Sequence, residues 1–153
     1  MTTVLNPDSY ITMFADASYC NRTLAYGWGV WVKYTDAAGV VRSVYGAGGG
    51  VGIKSSSDAE VEALRQGLYA VERLGVNVTR GKKIVVQSDC TSAISTVKEE
   101  FAEYKARVEA ASVYAKHVYG HQGYKTPRNA VNTMCDRHAR HAMRKFRNQV
   151  DGK

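Results

Sequence analysis

Residues 84–89, Ile-Val-Val-Gln-Ser-Asp, form a short apolar run that ends on a carboxylate. Residues 10–16, Tyr-Ile-Thr-Met-Phe-Ala-Asp, show the same pattern near the N-terminus. Each run is typical of a buried strand. If the two strands are adjacent and parallel, their carboxyl ends line a ligand crevice. Asp16 and Asp89 would then lie side by side, although either residue alone is equally well explained as a strand-end cap.

The segments between and around these runs predict an α/β fold with the order βββαβαβα. Residues 26–34 alternate in the manner of a second strand, and a turn at 36–39 leads to a third strand at 40–45. The glycine-rich stretch 46–52 lacks the Gly-Lys-Ser/Thr of a phosphate loop and predicts a flexible strand exit. The remaining elements are a helix at about 59–74, a helical stretch with apolar positions from 94 to 111, a strand at 113–119 and a last helix with Cys135, Ala139, Ala142 and Phe146 on its apolar side. We expect a five-stranded mixed sheet flanked by helices.

Composition limits the class of protein. The chain has 153 residues, with 21 Lys+Arg against 14 Asp+Glu, and a formal net charge of +7. This length predicts a single domain over residues 1–153, with a core at about 10–147. Three widely spaced cysteines, no secretory signal and no long apolar window predict a cytoplasmic protein without a membrane span. The positive charge favours a polyanionic partner.

Helix geometry selects a third acid. At about 100° per residue, the apolar residues of the first long helix face the sheet. Glu60 lies at the edge of that face, whereas Glu62 points nearly opposite, into solvent. Asp136, in the first turns of the last helix, is a fourth candidate or a residue that interacts with the helix dipole.

A cluster of three or four carboxylates suits Mg²⁺ or Mn²⁺, and two such ions about 3.5–4 Å apart can support phosphodiester hydrolysis. A structural zinc site at Cys135, His138 and His141 is disfavoured because it lacks a convincing fourth ligand.

Five motifs in sequence order resemble those of the ribonuclease H type 1 family, whose fold is this βββαβαβα sheet. Asp89 follows a serine, as in the Ser-Asp or Thr-Asp of the family's fourth strand. The resemblance covers most of the chain, from Phe14 to about Ala142. The other four motifs are Phe14-Ala-Asp16-Ala-Ser18, Ala59-Glu60-Val61-Glu62-Ala63-Leu64, Val118-Tyr119-Gly120-His121-Gln122-Gly123 and Asn132-Thr-Met-Cys135-Asp136-Arg-His-Ala139-Arg140.

The resemblance implies an endonuclease that hydrolyses the RNA strand of RNA–DNA hybrids and leaves 5′-phosphate ends, by in-line attack of a water molecule activated by two Mg²⁺ ions. Asp16, Glu60, Asp89 and Asp136 would be the metal-binding acids. His121, in the loop before the last helix, would assist proton transfer or product release. We expect a monomer.

The candidate contacts to nucleic acid include positions where the chain departs from the family. Ser56 and Ser57 stand where the family has a pair of asparagines, and Thr91 stands where it has a glutamine; in the family these positions contact the hybrid. The loop from His121 to Asp136 is predicted to be long, and the last helix carries a basic face. These departures keep open a related nuclease for branched DNA or duplex RNA. A non-catalytic nucleic-acid-binding module on the same fold is a second alternative, although the complete set of acids argues against it. The full set of candidate contacts is Ser18, Ser56, Ser57, Thr91, Asn132, Lys125, Arg128 and Arg140.

Overall fold

A mixed five-stranded sheet forms the centre of the protein, in the strand order β3-β2-β1-β4-β5. The computed structural model describes residues 9–118 and 127–152. The predicted five-stranded α/β architecture is confirmed. The strands are Tyr10–Cys20 (β1), Ala25–Thr35 (β2), Val41–Val51 (β3), Lys83–Ser88 (β4) and Ser112–His117 (β5). The helices are Ser56–Glu72 (α1), Val76–Thr79 (α2), Thr91–Val97 (α3), Phe101–Val108 (α4) and Pro127–Val150 (α5), with a 3₁₀ turn at Lys98–Glu100.

Strands β1 and β4 are adjacent and parallel, and their pairing positions the acids. The last paired residues of this ladder are Phe14 and Gln87. Asp16 and Asp89 each lie two residues beyond this pair. β1 itself continues to Cys20 in antiparallel pairing with β2, so the prediction that the strand ends at Asp16 is wrong. It is the parallel pairing with β4, and not β1 itself, that ends near Asp16.

The glycine-rich stretch is part of a regular strand, which corrects the prediction of a flexible exit. β3 extends through Gly46–Gly50 and pairs with β2 along its whole length. A Cβ at Gly48 would overlap the indole ring of Trp28, and one at Gly50 would lie 3.1 Å from the hydroxyl oxygen of Tyr26. The glycines therefore leave room for aromatic rings of the neighbouring strand.

The two faces of the sheet carry different cores. The larger core lies between the sheet and α1, α3 and α4, where Met13, Leu64 and Ile84 are fully buried. On the opposite face, α5 covers a smaller cluster that includes Phe14 and Cys135. Alternate residues of β1 face opposite sides of the sheet, which places Asp16 on the α5 side.

Helix boundaries differ from the predictions in three places. α1 begins at Ser56 rather than Ala59, because the Ser55 side chain caps it by accepting a hydrogen bond from the Asp58 backbone amide at 3.0 Å. The helical stretch from 94 to 111 is divided into α3, the 3₁₀ turn and α4. α5 begins at Pro127, so Asp136 lies in its third turn and much of the predicted loop is helical. None of the helices in the described part of the chain is long and apolar enough to cross a membrane.

Candidate active site

Asp16 is buried on the α5 side of β1. Its side chain is 5% exposed, and its Oδ1 accepts a hydrogen bond from the Ala17 backbone amide at 2.9 Å. The same amide also donates a hydrogen bond, at 3.2 Å, to Oε1 of Glu60, which lies on α1. One backbone N–H therefore holds two carboxylates from different elements next to each other.

Glu60, in the second turn of α1, is the acid that the helix geometry selected. Its Oε2 is buried and has no hydrogen-bond partner in the part of the chain that the structure describes. Glu62, two residues later, accepts a hydrogen bond from Gln66 at 2.9 Å and is half-buried rather than fully in solvent. A buried carboxylate oxygen without a partner lowers the stability of the fold. A cation bound to Glu60 would supply the missing partner.

Asp89, which directly follows β4, completes a group of three acids. One carboxylate oxygen from each of Asp16, Glu60 and Asp89 lies within 4.8 Å of the others. Among the described residues, no Lys or Arg forms an ion pair with any of them. The three acids converge as the sequence predicts, and their charges are not balanced by a protein cation.

Burial and mutual repulsion strongly perturb two of these acids. Burial, followed by the charges of Asp89 and Asp136, raises the pKa of Asp16 to about 7, although the Ala17 amide and Glu60 act in the opposite direction. Burial, followed by the charges of Asp16 and Asp89, raises the pKa of Glu60 to about 10. Without a cation, Glu60 therefore keeps its proton at neutral pH and Asp16 is partly protonated, and a divalent ion would displace these protons.

Asp136 approaches the cluster from α5 but lies outside the group of three. Its charge contributes to the raised pKa of Asp16. Its Oδ2 lies 3.2 Å from Nε of Arg140, one helical turn further along. The structure thus brings all four predicted acids to one region, with Asp136 paired to a cation.

Two glycines in β2 allow α5 to come this close, a role that was not predicted from the sequence. A Cβ at Gly27 would overlap the backbone of Ala139, and one at Gly29 would overlap the carbonyl oxygen of Cys135 and lie 3.1 Å from its Cα. Gly29 is the β2 partner of Asp16. The available signal was the Gly-Trp-Gly triplet within a strand, since such glycines often mark a close approach of another backbone.

The zinc alternative does not fit this geometry. Cys135 is fully buried, and burial, with the charge of Asp16, raises the pKa of its thiol to about 12. His138 is exposed, and the centre of its ring lies 6.5 Å from the centre of the Tyr45 ring. Among the described residues, the only group of three or more His, Cys, Asp or Glu side chains close enough to share a metal ion is Asp16, Glu60 and Asp89, so Cys135 and the two histidines do not form one.

Several candidate nucleic-acid contacts lie together at the starts of α1 and α3. Ser56, Ser57 and Thr91 are exposed. The hydroxyl oxygens of Ser57 and Ser92 are 3.5 Å apart, so these two helix starts adjoin. Ser92 is a further hydroxyl at this surface that was not among the residues predicted from the sequence.

The other candidates are more scattered. Ser18 is half-buried in β1, whereas Asn132 is buried on α5 at 6% exposure. Arg140 is exposed. His121 and Lys125 lie outside the described residues, as does the side chain of Arg128. We define the α5 basic face as the exposed cations Arg137, Arg140, Arg144 and Lys145.

Solved structures with the same architecture include an RNase H domain from Mycobacterium tuberculosis and an RNase H1 from Halobacterium salinarum. The first is the N-terminal RNase H domain of rv2228c, fused to maltose-binding protein; it is 18% identical, with a TM-score of 0.60 over 92% of this chain and 98% of that one. The Halobacterium protein is 15% identical, with a TM-score of 0.57 over 89% and 98%. LC11-RNase H1, solved in complex with an RNA/DNA hybrid, is 19% identical, with a TM-score of 0.63 over 88% and 97%. These likenesses show a ribonuclease H-like fold.

Sequence comparison assigns the family. A family model described as RNase H matches residues 8–144, which is most of the chain and includes all four acids. The chain belongs to the RNase H family. No curated protein sequence matches it.

Proposed function

We propose that the protein is a metal-dependent endoribonuclease that hydrolyses the RNA strand of RNA–DNA hybrids. The observation that carries this proposal is the convergence of Asp16, Glu60 and Asp89, with one oxygen from each within 4.8 Å of the others. Membership in the RNase H family supports the nuclease class. LC11-RNase H1, which shares the fold, was solved with an RNA/DNA hybrid bound, and that complex supports the substrate.

The acidic cluster fits a hard divalent cation. Its donors are all carboxylate oxygens, the set that Mg²⁺ and Mn²⁺ prefer. The buried Oε2 of Glu60 has no partner in the described part of the chain, which leaves it available to a metal. Asp16, Glu60 and Asp89 would hold one ion, and Asp136 with Asp16 would hold a second. Two bound ions would activate a water molecule and offset the charge that develops on the phosphate.

The protein's own groups would position the reacting atoms. The Ala17 amide holds the carboxylates of Asp16 and Glu60 in a fixed relation, which lowers the cost of arranging them during the reaction. His121 would accept or deliver a proton as water attacks the phosphorus and the 3′-oxygen leaves. The products would be a 5′-phosphate and a 3′-hydroxyl.

Two surfaces flank the cluster and suit a hybrid. The exposed hydroxyls of Ser56, Ser57 and Thr91 are donors and acceptors of the kind that contact 2′-hydroxyls. The α5 basic face would contact phosphates without reading sequence. We also propose that the chain acts as a monomeric single domain, for which size-exclusion chromatography with light scattering is the test.

A matched pair of variants on one helix tests the site. Glu60→Gln removes a charge from the cluster, whereas Glu62→Gln makes the same chemical change two residues away, at a side chain that contacts Gln66. We expect Glu60→Gln to lower Mg²⁺-dependent hybrid cleavage by roughly 100-fold or more, because metal stabilisation of charge contributes several kcal/mol. Glu62→Gln is expected to stay within a few-fold of the wild type, and equal losses in both variants would refute the assignment.

The substrate is tested with labelled hybrid, duplex RNA, duplex DNA and a four-way junction, each with Mg²⁺ and with Mn²⁺. Selective cleavage of the hybrid supports the proposal. Cleavage of only the junction or only duplex RNA would favour the related nuclease. That alternative is motivated by the departures from the family at Ser56, Ser57 and Thr91. Binding without any cleavage would favour the non-catalytic module.

A further inference from the structure

The fourth acid differs from the other three because a protein cation already engages it. Nε of Arg140 lies 3.2 Å from Oδ2 of Asp136, one turn away on α5. The Asp136 side chain is 19% exposed, and the Arg140 side chain is 50% exposed. The group of Asp16, Glu60 and Asp89, by contrast, has no Lys or Arg ion pair among the described residues. The pair at Asp136 therefore needs its own explanation.

We propose that Arg140 is an exchangeable counter-ion that competes with a divalent cation for Asp136. This inference rests on the proposed function, since it concerns the metal site of that reaction. A guanidinium held against a carboxylate repels a second cation at the same oxygens. Metal binding at Asp136 therefore requires the Arg140 side chain to move away, and an ion pair this exposed is weak enough to be exchanged.

The released guanidinium has a defined destination. Residues three and four positions apart share a helix face, so Arg137 and Arg144 flank Arg140 on the α5 basic face. Both are exposed. The Arg140 side chain would thus move from the Asp136 carboxylate to the α5 basic face, which is suited to binding phosphates. By linkage, metal binding at Asp136 and phosphate binding at Arg140 strengthen each other.

Mn²⁺ alone, titrated calorimetrically in the absence of nucleic acid, tests the competition. The site at Asp136 is identified as the part of the binding heat that is lost in Asp136→Asn. We expect Arg140→Gln to raise the Mn²⁺ affinity of that site by about two- to fivefold, the range for loss of an exposed ion pair. Arg140→Lys, which keeps the charge, should remain close to the wild type.

Arg144→Gln is the matched control, because it removes the same charge one turn further along the same face. Its effect on Mn²⁺ affinity should be clearly smaller than that of Arg140→Gln. Equal effects in the two variants would mean general electrostatics and would overturn the proposal, as would weaker Mn²⁺ binding in Arg140→Gln. Circular dichroism spectra of all variants control for folding.

Hybrid binding in EDTA tests the other half of the exchange. Asp136→Asn frees Arg140, so the dependence of binding on salt should become steeper than in the wild type, by about one phosphate contact. The double variant Asp136→Asn/Arg140→Gln should lose that increment, and identical slopes in the single and double variants would overturn the proposal. If only this inference fails, the wild type still cleaves hybrid. If the proposed function fails, the wild type shows no metal-dependent cleavage.

Discussion

Replacing Asp16 with asparagine is expected to stabilise the metal-free protein while abolishing the proposed hybrid cleavage. Asp16 is 5% exposed, and burial beside the charges of Asp89 and Asp136 raises its pKa from 3.8 to about 7. At about 1.4 kcal/mol per pH unit, the ionised carboxylate costs the folded state about 4 kcal/mol above pH 7. Asparagine has nearly the same shape and no charge, so the variant avoids this cost.

The pH dependence of this gain has a definite sign. The pKa of Asp16 is higher in the folded than in the unfolded chain, so the folded state binds the proton more tightly. The group's cost to stability is therefore absent below its unfolded pKa of 3.8 and grows as pH rises towards about 7. We expect Asp16→Asn to gain roughly 2 kcal/mol at pH 5 and roughly 4 kcal/mol at pH 8.

Urea unfolding in EDTA at pH 5 and pH 8 measures both values. Asp58→Asn is the matched control, since Asp58 is an exposed acid at the start of α1; its stability should change by less than about 1 kcal/mol. Mg²⁺ should stabilise the wild type more than Asp16→Asn, because binding to the folded state raises stability by mass action. If Asp16→Asn is no more stable than the wild type at pH 8 in EDTA, the buried charge does not destabilise the fold and this reasoning is refuted.

Three further predictions concern packing and the basic surface. Gly29→Ala should lower the free energy of unfolding in urea by about 1–3 kcal/mol and reduce hybrid cleavage, because the new Cβ meets the backbone of α5. Gly67→Ala should lower it less, because its Cβ meets a flexible methionine side chain. The opposite order of the two losses would contradict this explanation. Tyr104→Phe should lower stability by about 1–2 kcal/mol, since its buried hydroxyl donates at 2.7 Å to a carbonyl of α1; cleavage per folded molecule should not change. Replacing Arg144 and Lys145 with glutamine should weaken hybrid binding and reduce its salt slope by up to about 2; an unchanged slope would show that these cations do not contact phosphates.

The convergence of the acids could be predicted from local patterns. Two apolar runs ending in Asp16 and Asp89 indicated strands, and a stripe at helical spacing selected Glu60 over Glu62. These inferences needed only the periods of strand and helix, and the structure brings the three residues together. The exact position of Asp16 was less predictable, because the end of its parallel pairing depends on where β4 ends.

The glycine-rich part of β3 could not be predicted from its own residues. Glycine weakens a strand locally, so Gly46–Gly50 indicated a flexible exit. The stretch is ordered because rings from β2 occupy the space above it, with Trp28 against Gly48 and Tyr26 against Gly50. The start of α5 at Pro127 was missed although proline is favoured at the first helical position, because the prediction followed apolar residues further along.

The sequence by itself determined the order of the elements, the acids that belong together and the basic character of the last helix. Periodicity and residue type carry that information locally. Only the tertiary structure decided how far the acids are from one another, which of them retain protons and which one has a cation as a partner. The raised pKa values of Asp16 and Glu60 and the pairing of Asp136 with Arg140 depend on burial and on distances between charges. Those quantities exist only once β1, β4, α1 and α5 have packed together, and the packing in turn depends on the missing side chains at Gly27 and Gly29.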